Sequence, residues 1–155
     1  MRAAAVALLG LLLVACASHP RQPAPASPAE TELRQRILEE ALAQLGRPYR
    51  YGGGDHAGFD CSGLVLHVYR DAGIELPRTA AQQRRHGRAV APEAARPGDL
   101  FFYRIDGGDH VVVYIGDGRA VHAPRPGRTV TIAEVNRDWW KKRLVGARRL
   151  IGAGV

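Results

Sequence analysis

The run His110-Val111-Val112-Val113-Tyr114-Ile115 meets Arg119-Ala120-Val121-His122-Ala123 across Gly116-Asp117-Gly118. No other stretch limits the fold as strongly. Two apolar strands around a Gly-Asp-Gly turn read as a β-hairpin. Side chains repeat every two residues on one face of a strand, so loop length decides which residues meet. His110, Val112 and Tyr114 share a face. His122 joins it only if the loop holds an odd number of residues. A three-residue loop 116–118, with Gly118 in the left-handed position, sets His122 opposite Val112 and diagonal to His110. A two-residue Asp-Gly loop would put the histidines on opposite faces.

A histidine pair needs something to act on, and Asp60-Cys61-Ser62-Gly63 supplies it. Asp60 is a good N-cap for a helix over Leu64, Val65, Val68, Tyr69 and Ala72, stopped by Gly73. A cysteine at a helix N-terminus faces unpaired N–H groups and the positive end of the dipole, which favour a thiolate. The Asp60 carboxylate opposes ionisation, so a cationic partner is required, and His110 in its protonated form can supply it. His67 lies about 240° round the helix from Cys61 and cannot be that partner. Cys61, His110 and His122 therefore form a candidate nucleophile, base and orienting group. The same three could hold zinc with one open position, but the short ligand spacing of a zinc signature is absent.

The N-terminus sets the compartment. Met1-Arg2 precedes thirteen uncharged residues, Ala3 to Ala15, too few to span a bilayer and right for a signal peptide. Leu13-Val14-Ala15-Cys16 looks like a lipobox, in which Cys16 is lipidated. The chain has two cysteines, Cys16 and Cys61. In an exported protein two cysteines default to a disulfide; lipidation of Cys16 would leave Cys61 a lone thiol. The organisation expected is a signal peptide over 1–15, a lipidated, Pro-rich tether over 16–28 and one domain over 29–155.

Within 155 residues one domain is the natural count. Net charge is +7. The longest cationic run is Lys141-Lys142-Arg143, with no aromatic stacking motif of the RNA-binding kind, which argues against nucleic acid. A basic surface suits an anionic polymer or membrane. Trp139-Trp140-Lys141-Lys142-Arg143 reads either as a packed edge with snorkelling cations or as part of a substrate groove.

Other segments carry structure. Ser27-Pro28-Ala29-Glu30 fits a capping box before a helix with Leu33, Ile37, Leu38, Ala41 and Leu45 on one face, ended by Gly46. Gly52-Gly53-Gly54 reads as a flexible loop, and Thr79 caps a polar helix from Ala80 to His86. Strands are expected at Leu100–Tyr103, Thr129–Ile132 and Ala147–Ile151.

The ordered set Pro48-Tyr49, Gly52-Gly53, Asp60-Cys61-Ser62-Gly63, Leu76-Pro77-Arg78, Pro97-Gly98-Asp99-Leu100, His110, Tyr114-Ile115-Gly116, His122-Ala123 and Gly146-Ala147-Arg148-Arg149 resembles the NlpC family of cell-wall cysteine endopeptidases. The resemblance implies a papain-like α+β fold, with N-terminal helices packed on an antiparallel sheet, and hydrolysis of amide bonds in peptidoglycan. It implies Cys61 as nucleophile, His110 as base, His122 as orienting residue and Tyr49 as an oxyanion or site-lining residue, with Asp60 and Ser62 beside the substrate, and no cofactor or metal. Lipobox and tether resemble the family's lipid-anchored murein DD-endopeptidases, which cut D-alanyl–diaminopimelate cross-links and would sit at the periplasmic side of the outer membrane. Other members cut the γ-D-glutamyl–diaminopimelate bond, and a non-catalytic wall-binding lipoprotein would keep the same fold. Two positions depart from the family. Val112 stands where Gly is usual and is expected to point at the Cys61 helix. Tyr51 replaces a common Trp.

Overall fold

The computed structural model describes residues 26–152, and Cys16, the signal peptide and most of the tether lie outside them. Helix α1 (Pro28–Ala43) starts as expected: Ser27 Oγ accepts the Glu30 N–H at 3.1 Å and Pro28 occupies the first turn. It ends earlier than its apolar pattern suggests. Gln44 is the C-cap, and Leu42 and Leu45 are exposed while Arg34, Ile37 and Ala41 are buried.

Two short strands, β1 (Gly54–Asp55) and β2 (Gly58–Phe59), lead into α2 (Cys61–Asp71). Helix α3 is one turn, Ala80–Gln83, closed by a reciprocal Thr79–Gln82 capping box. Six strands then build an antiparallel sheet: β3 (Arg88–Val90), β4 (Leu100–Ile105), β5 (Gly108–Gly116), β6 (Arg119–His122), β7 (Thr131–Glu134) and β8 (Leu144–Arg149), ordered β3-β8-β4-β5-β6-β7. Helix α4 (Asp138–Lys141) lies between β7 and β8 in the chain. Strands β7 and β8 are displaced by two or three residues from the expected runs, and β3 has no sequence signature. Arg88-Ala89-Val90 is a short, mostly exposed edge strand, where packing imposes no alternation.

The pleat divides the core in two. Leu100, Phe102, Val111, Val113 and Val121 face Ile37, Ala41, Leu64, Val65 and Val68 of α1 and α2. Their alternates, Phe101, Tyr103, Val112 and Ala120, pack on the opposite face with Val135, Ala147 and Trp140.

A buried ion cluster ties α1 to the sheet. Asp99, with no exposed surface, accepts three bonds from Arg149 at 2.7–3.1 Å, one from Arg34 at 3.2 Å and the Arg96 N–H at 2.8 Å. Arg34 also bonds the Pro97 carbonyl at 2.7 Å, so its place in the apolar stripe of α1 serves this cluster. Among the described residues no helix is long and apolar enough to cross a membrane.

Candidate active site

Asp60 organises the start of α2. One carboxylate oxygen accepts the Gly63 N–H at 2.7 Å and the Ser62 hydroxyl at 3.3 Å; the other accepts the Gly52 N–H at 2.9 Å. Arg78 grips both oxygens at 3.0 and 2.6 Å, and also reaches Ser62 Oγ at 2.9 Å and the Gly53 carbonyl at 3.2 Å. The cation beside Asp60 is thus Arg78, not His110 as expected. The Asp60 carboxyl is held below its usual range: burial opposes this, but the Arg78 and backbone bonds prevail. Nothing in the spacing marks Arg78, eighteen residues from Asp60, as its partner.

The glycine loop is pinned rather than flexible. The Asp60 N–H bonds Gly53 O at 3.2 Å. Gly63 lies so close that a Cβ there would stand 1.9 Å from that carbonyl oxygen. Only glycine permits this approach of loop and helix.

Cys61 is the first residue of α2. Burial is the largest influence on its thiol and pushes the pKa up, and the Asp60 charge adds to the rise. Backbone N–H groups of Val111, Ser62 and Cys61 itself act the other way but do not prevail. Burial therefore overrides the thiolate that helix electrostatics alone would favour, and the thiol is protonated in the folded protein. The Val111 amide at the sulfur sets Cys61 against β5, one residue from His110.

The hairpin brings the two histidines together by a different route from the one expected. Asp117 and Gly118 form a two-residue turn with φ of 52° and 69°, closed by Gly116 opposite Arg119. A bulge between Tyr114 and Gly116 adds one residue to β5, after which Tyr114 pairs Ala120 and Val113 pairs Val121. Bulge plus two-residue turn keeps the parity that a three-residue loop would give. His110 Nε2 lies 2.9 Å from His122 Nδ1. One of these nitrogens must donate. If His110 does, its Nδ1 is the nitrogen left to accept a proton.

Both rings are buried, which lowers His110 to about 3, with His122 adding to the shift, and His122 to about 4. Trp140 forms part of their cover, with its ring 5.3 Å from His122, 6.2 Å from His110 and 4.7 Å from Tyr103. The expectation for Val112 is corrected here. Its side chain is fully buried with Phe101, Tyr103 and Ala120, on the sheet face turned away from α2. It cannot press on the Cys61 helix.

Tyr49, Tyr51, Asp60, Cys61, Ser62, Arg78 and Asp109 line a cleft of about 510 Å3. Asp109 and Val111 flank His110 in sequence, so both chain neighbours of His110 adjoin Cys61. Tyr51 is 89% exposed. The Tyr49 phenol is raised by burial, then by the Cys61 and Asp60 charges, and stays protonated as a donor. His67 pairs with Glu40 at 2.9 Å and His56 with Gln44 at 3.2 Å; neither is among the groups lining the cleft. Among the described residues no three His, Cys, Asp or Glu side chains are grouped to hold a metal ion. A second hollow, about 390 Å3, lies on the far sheet face over Phe101, Tyr103 and Tyr114, with neither a cysteine nor a histidine in its lining.

The NlpC/P60 family model matches residues 46–149. Murein DD-endopeptidase MepH of Escherichia coli (strain K12) is 41% identical over 122 residues, covering 74% of this chain and 45% of that protein. Gamma-D-glutamyl-L-lysine dipeptidyl-peptidase of Bacillus cereus is 41% identical over 111 residues, covering 69% of this chain and 33% of that protein. The crystal structure of an NlpC/P60 family protein from Bacillus cereus superposes with a TM-score of 0.72 at 37% identity, covering 83% of this chain and 41% of that one. The chain thus spans less than half the length of these relatives.

Proposed function

The chain belongs to the NlpC/P60 family, and from that membership we propose that it is a cysteine peptidase of peptidoglycan. The observation that carries the reading is the His110–His122 contact of 2.9 Å beside a thiol that receives the Val111 amide. In the resting site the thiol is protonated and both imidazoles are neutral. As sulfur attacks the substrate amide carbon, His110 Nδ1 takes the thiol proton, and His122 Nδ1 accepts from the Nε2–H of the His110 imidazolium. The oxygen of the tetrahedral intermediate accepts from the Cys61 and Ser62 N–H groups, which face the sulfur at rest, and from the Tyr49 phenol. His110 then protonates the departing amine, leaving a thioester. Water attacks the thioester with His110 as base, and the thiol is released protonated.

Asp60 and Ser62 serve this chemistry from behind. Their polar atoms are already bonded to Arg78 and to the helix start, so they shape the cleft wall. The bond favoured is the D-alanyl–diaminopimelate cross-link, in line with the name of the MepH relative. The B. cereus relative supports a second reading, a γ-D-glutamyl–diaminopimelate cut. The protein would act at the cell envelope, anchored through lipid on Cys16.

Mass spectrometry of purified sacculi digested by the wild type and by Cys61→Ala tests the reading. A DD cut converts cross-linked dimers to monomers, whereas a γ-D-glutamyl cut shortens stem peptides. Digestion by Cys61→Ala equal to the wild type would sink the peptidase, and binding without cleavage by either would favour a wall-binding lipoprotein.

A further inference from the structure

The chemistry above uses Trp140 and leaves its neighbour untouched. Trp139 is 48% exposed. A large indole left half in water forgoes part of its burial, so its position invites a partner. The Arg143 guanidinium carbon lies 4.2 Å from the Trp139 ring centroid, and Arg143 Nη1 donates to the Trp139 carbonyl at 2.9 Å. Ring and cation are thereby held as one unit. Lys141 and Lys142 are exposed beside them. Arg137 is engaged by Glu134, and Asp138 is the single acidic residue of the 137–143 segment.

The patch is continuous with the candidate site. The Trp139 and Trp140 rings are 5.2 Å apart and nearly perpendicular, and Trp140 is 5.3 Å from His122. One ring turns inward to cover the histidines. The next turns outward with cations around it. We propose that Trp139, Lys142 and Arg143 form a binding subsite for an anionic glycopeptide strand outside the scissile bond. The indole covers the C–H face of a sugar ring, and the cations receive stem-peptide carboxylates. The +7 charge of the chain is complementary to such a polymer. This rests on the reading of murein as the substrate. The alternative occupant of an aromatic–basic patch is an anionic bilayer surface. Contiguity with the histidines favours the polymer that the histidines would cleave.

Binding is measured first without catalysis, with the full chain carrying Cys61→Ala and purified sacculi in a sedimentation assay. Trp139→Ala is expected to lower the bound fraction about fivefold or more, as for an aromatic anchor, and Lys142→Glu by less. Added salt should weaken binding of the parent. Hydrolysis of a small soluble cross-linked muropeptide by the same variants with Cys61 restored is expected to stay within about twofold of wild type, because such a substrate fills only the cleft. Unchanged sedimentation in both variants overturns the proposal. So does a parallel fall in small-substrate hydrolysis, which would mean that Trp139 acts by holding Trp140 against the histidines. Trp139-dependent binding to phosphatidylglycerol vesicles and not to sacculi would assign the patch to a bilayer, also against the proposal. A wild type that cleaves neither substrate defeats the peptidase reading, while the sedimentation result still stands for the patch.

Discussion

His122 Nδ1 sits 2.9 Å from His110 Nε2 only because β5 carries an extra residue between Tyr114 and Gly116. Removing that bulge while keeping the Asp117-Gly118 turn would rotate β6 by one residue and move His122 to the opposite face. The pairing of the two histidines is thus encoded in a strand irregularity several residues away from either one.

That irregularity can be tested directly. Gly116 has φ of 97°, a conformation costly for any residue with a Cβ, and a Cβ there would lie 3.3 Å from Pro97 Cγ. Gly116→Val is expected to destabilise the protein by about 1–3 kcal/mol in urea unfolding. Activity should fall further than stability explains, because the bulge sets the histidine register. A variant with full activity and unchanged stability would contradict the role assigned to the bulge.

The pH dependence follows from the buried imidazoles. His110 and His122 are lowered to about 3 and about 4, so both remain neutral well below the usual histidine range. The acid limb of kcat/KM is expected far below pH 6.5. A limb near 6.5 would show that the rings are solvated in solution. Stability has the matching sign. The unfolded histidines bind protons near 6.5 while the folded ones do not, so stability is full above that pH and declines as pH falls toward 4. Thermal unfolding should show a smaller loss over this interval in His122→Gln than in the wild type.

How much of this was legible in the sequence depends on whether one element or several had to agree. The Asp60 cap, the Cys61 helix and the Ser27 N-cap rest on local hydrogen bonds and form where their residues predict, although Glu30 turns to Arg34 and leaves the capping box half made. Same-face placement of the histidines was legible through strand parity, although the loop itself was misread. Gly116 served as a closing pair where a loop residue was expected. Arg78 was beyond reach because its partners, Asp60, Ser62 and Gly53, come from three other segments. Val112 was assigned to the wrong layer for a related reason. Parity places residues on a common face but does not say which face the helices cover. The buried Arg34–Asp99–Arg149 cluster was invisible for the same cause as Arg78, since each charge looked like surface taken alone.

That cluster supports a stability prediction. Asp99 has no exposed surface and pairs with two buried arginines, Arg34 and Arg149. Asp99→Asn keeps the shape but leaves Arg149 without a counter-charge, while Arg34 keeps Glu30 at 2.8 Å. The expected loss is about 3–5 kcal/mol, the range for breaking a buried ion pair from one side. Urea unfolding measures it. A loss under about 1 kcal/mol would mean that water reaches the cluster and screens it.

The last prediction separates charge from architecture at the nucleophile. Asp60, Arg78, Tyr49 and Asp109 line the cleft with Cys61, and the Val111 amide at the sulfur brings β5, which carries His110, alongside. Asp109 is engaged by Arg104 at 3.2 Å, and the two imidazoles are neutral, so the Asp60–Arg78 pair dominates the local field. Arg78→Gln leaves the Asp60 carboxylate uncompensated beside the thiol. The pH profile of iodoacetamide alkylation should then move to higher pH than in the wild type, where burial already holds the thiol up. Adding Asp60→Asn to Arg78→Gln removes the offending charge and should bring the profile back toward the wild type. A purely architectural role for Arg78 predicts the opposite order, with the double variant at least as impaired as the single, because it has lost both halves of the network around Gly53 and Ser62.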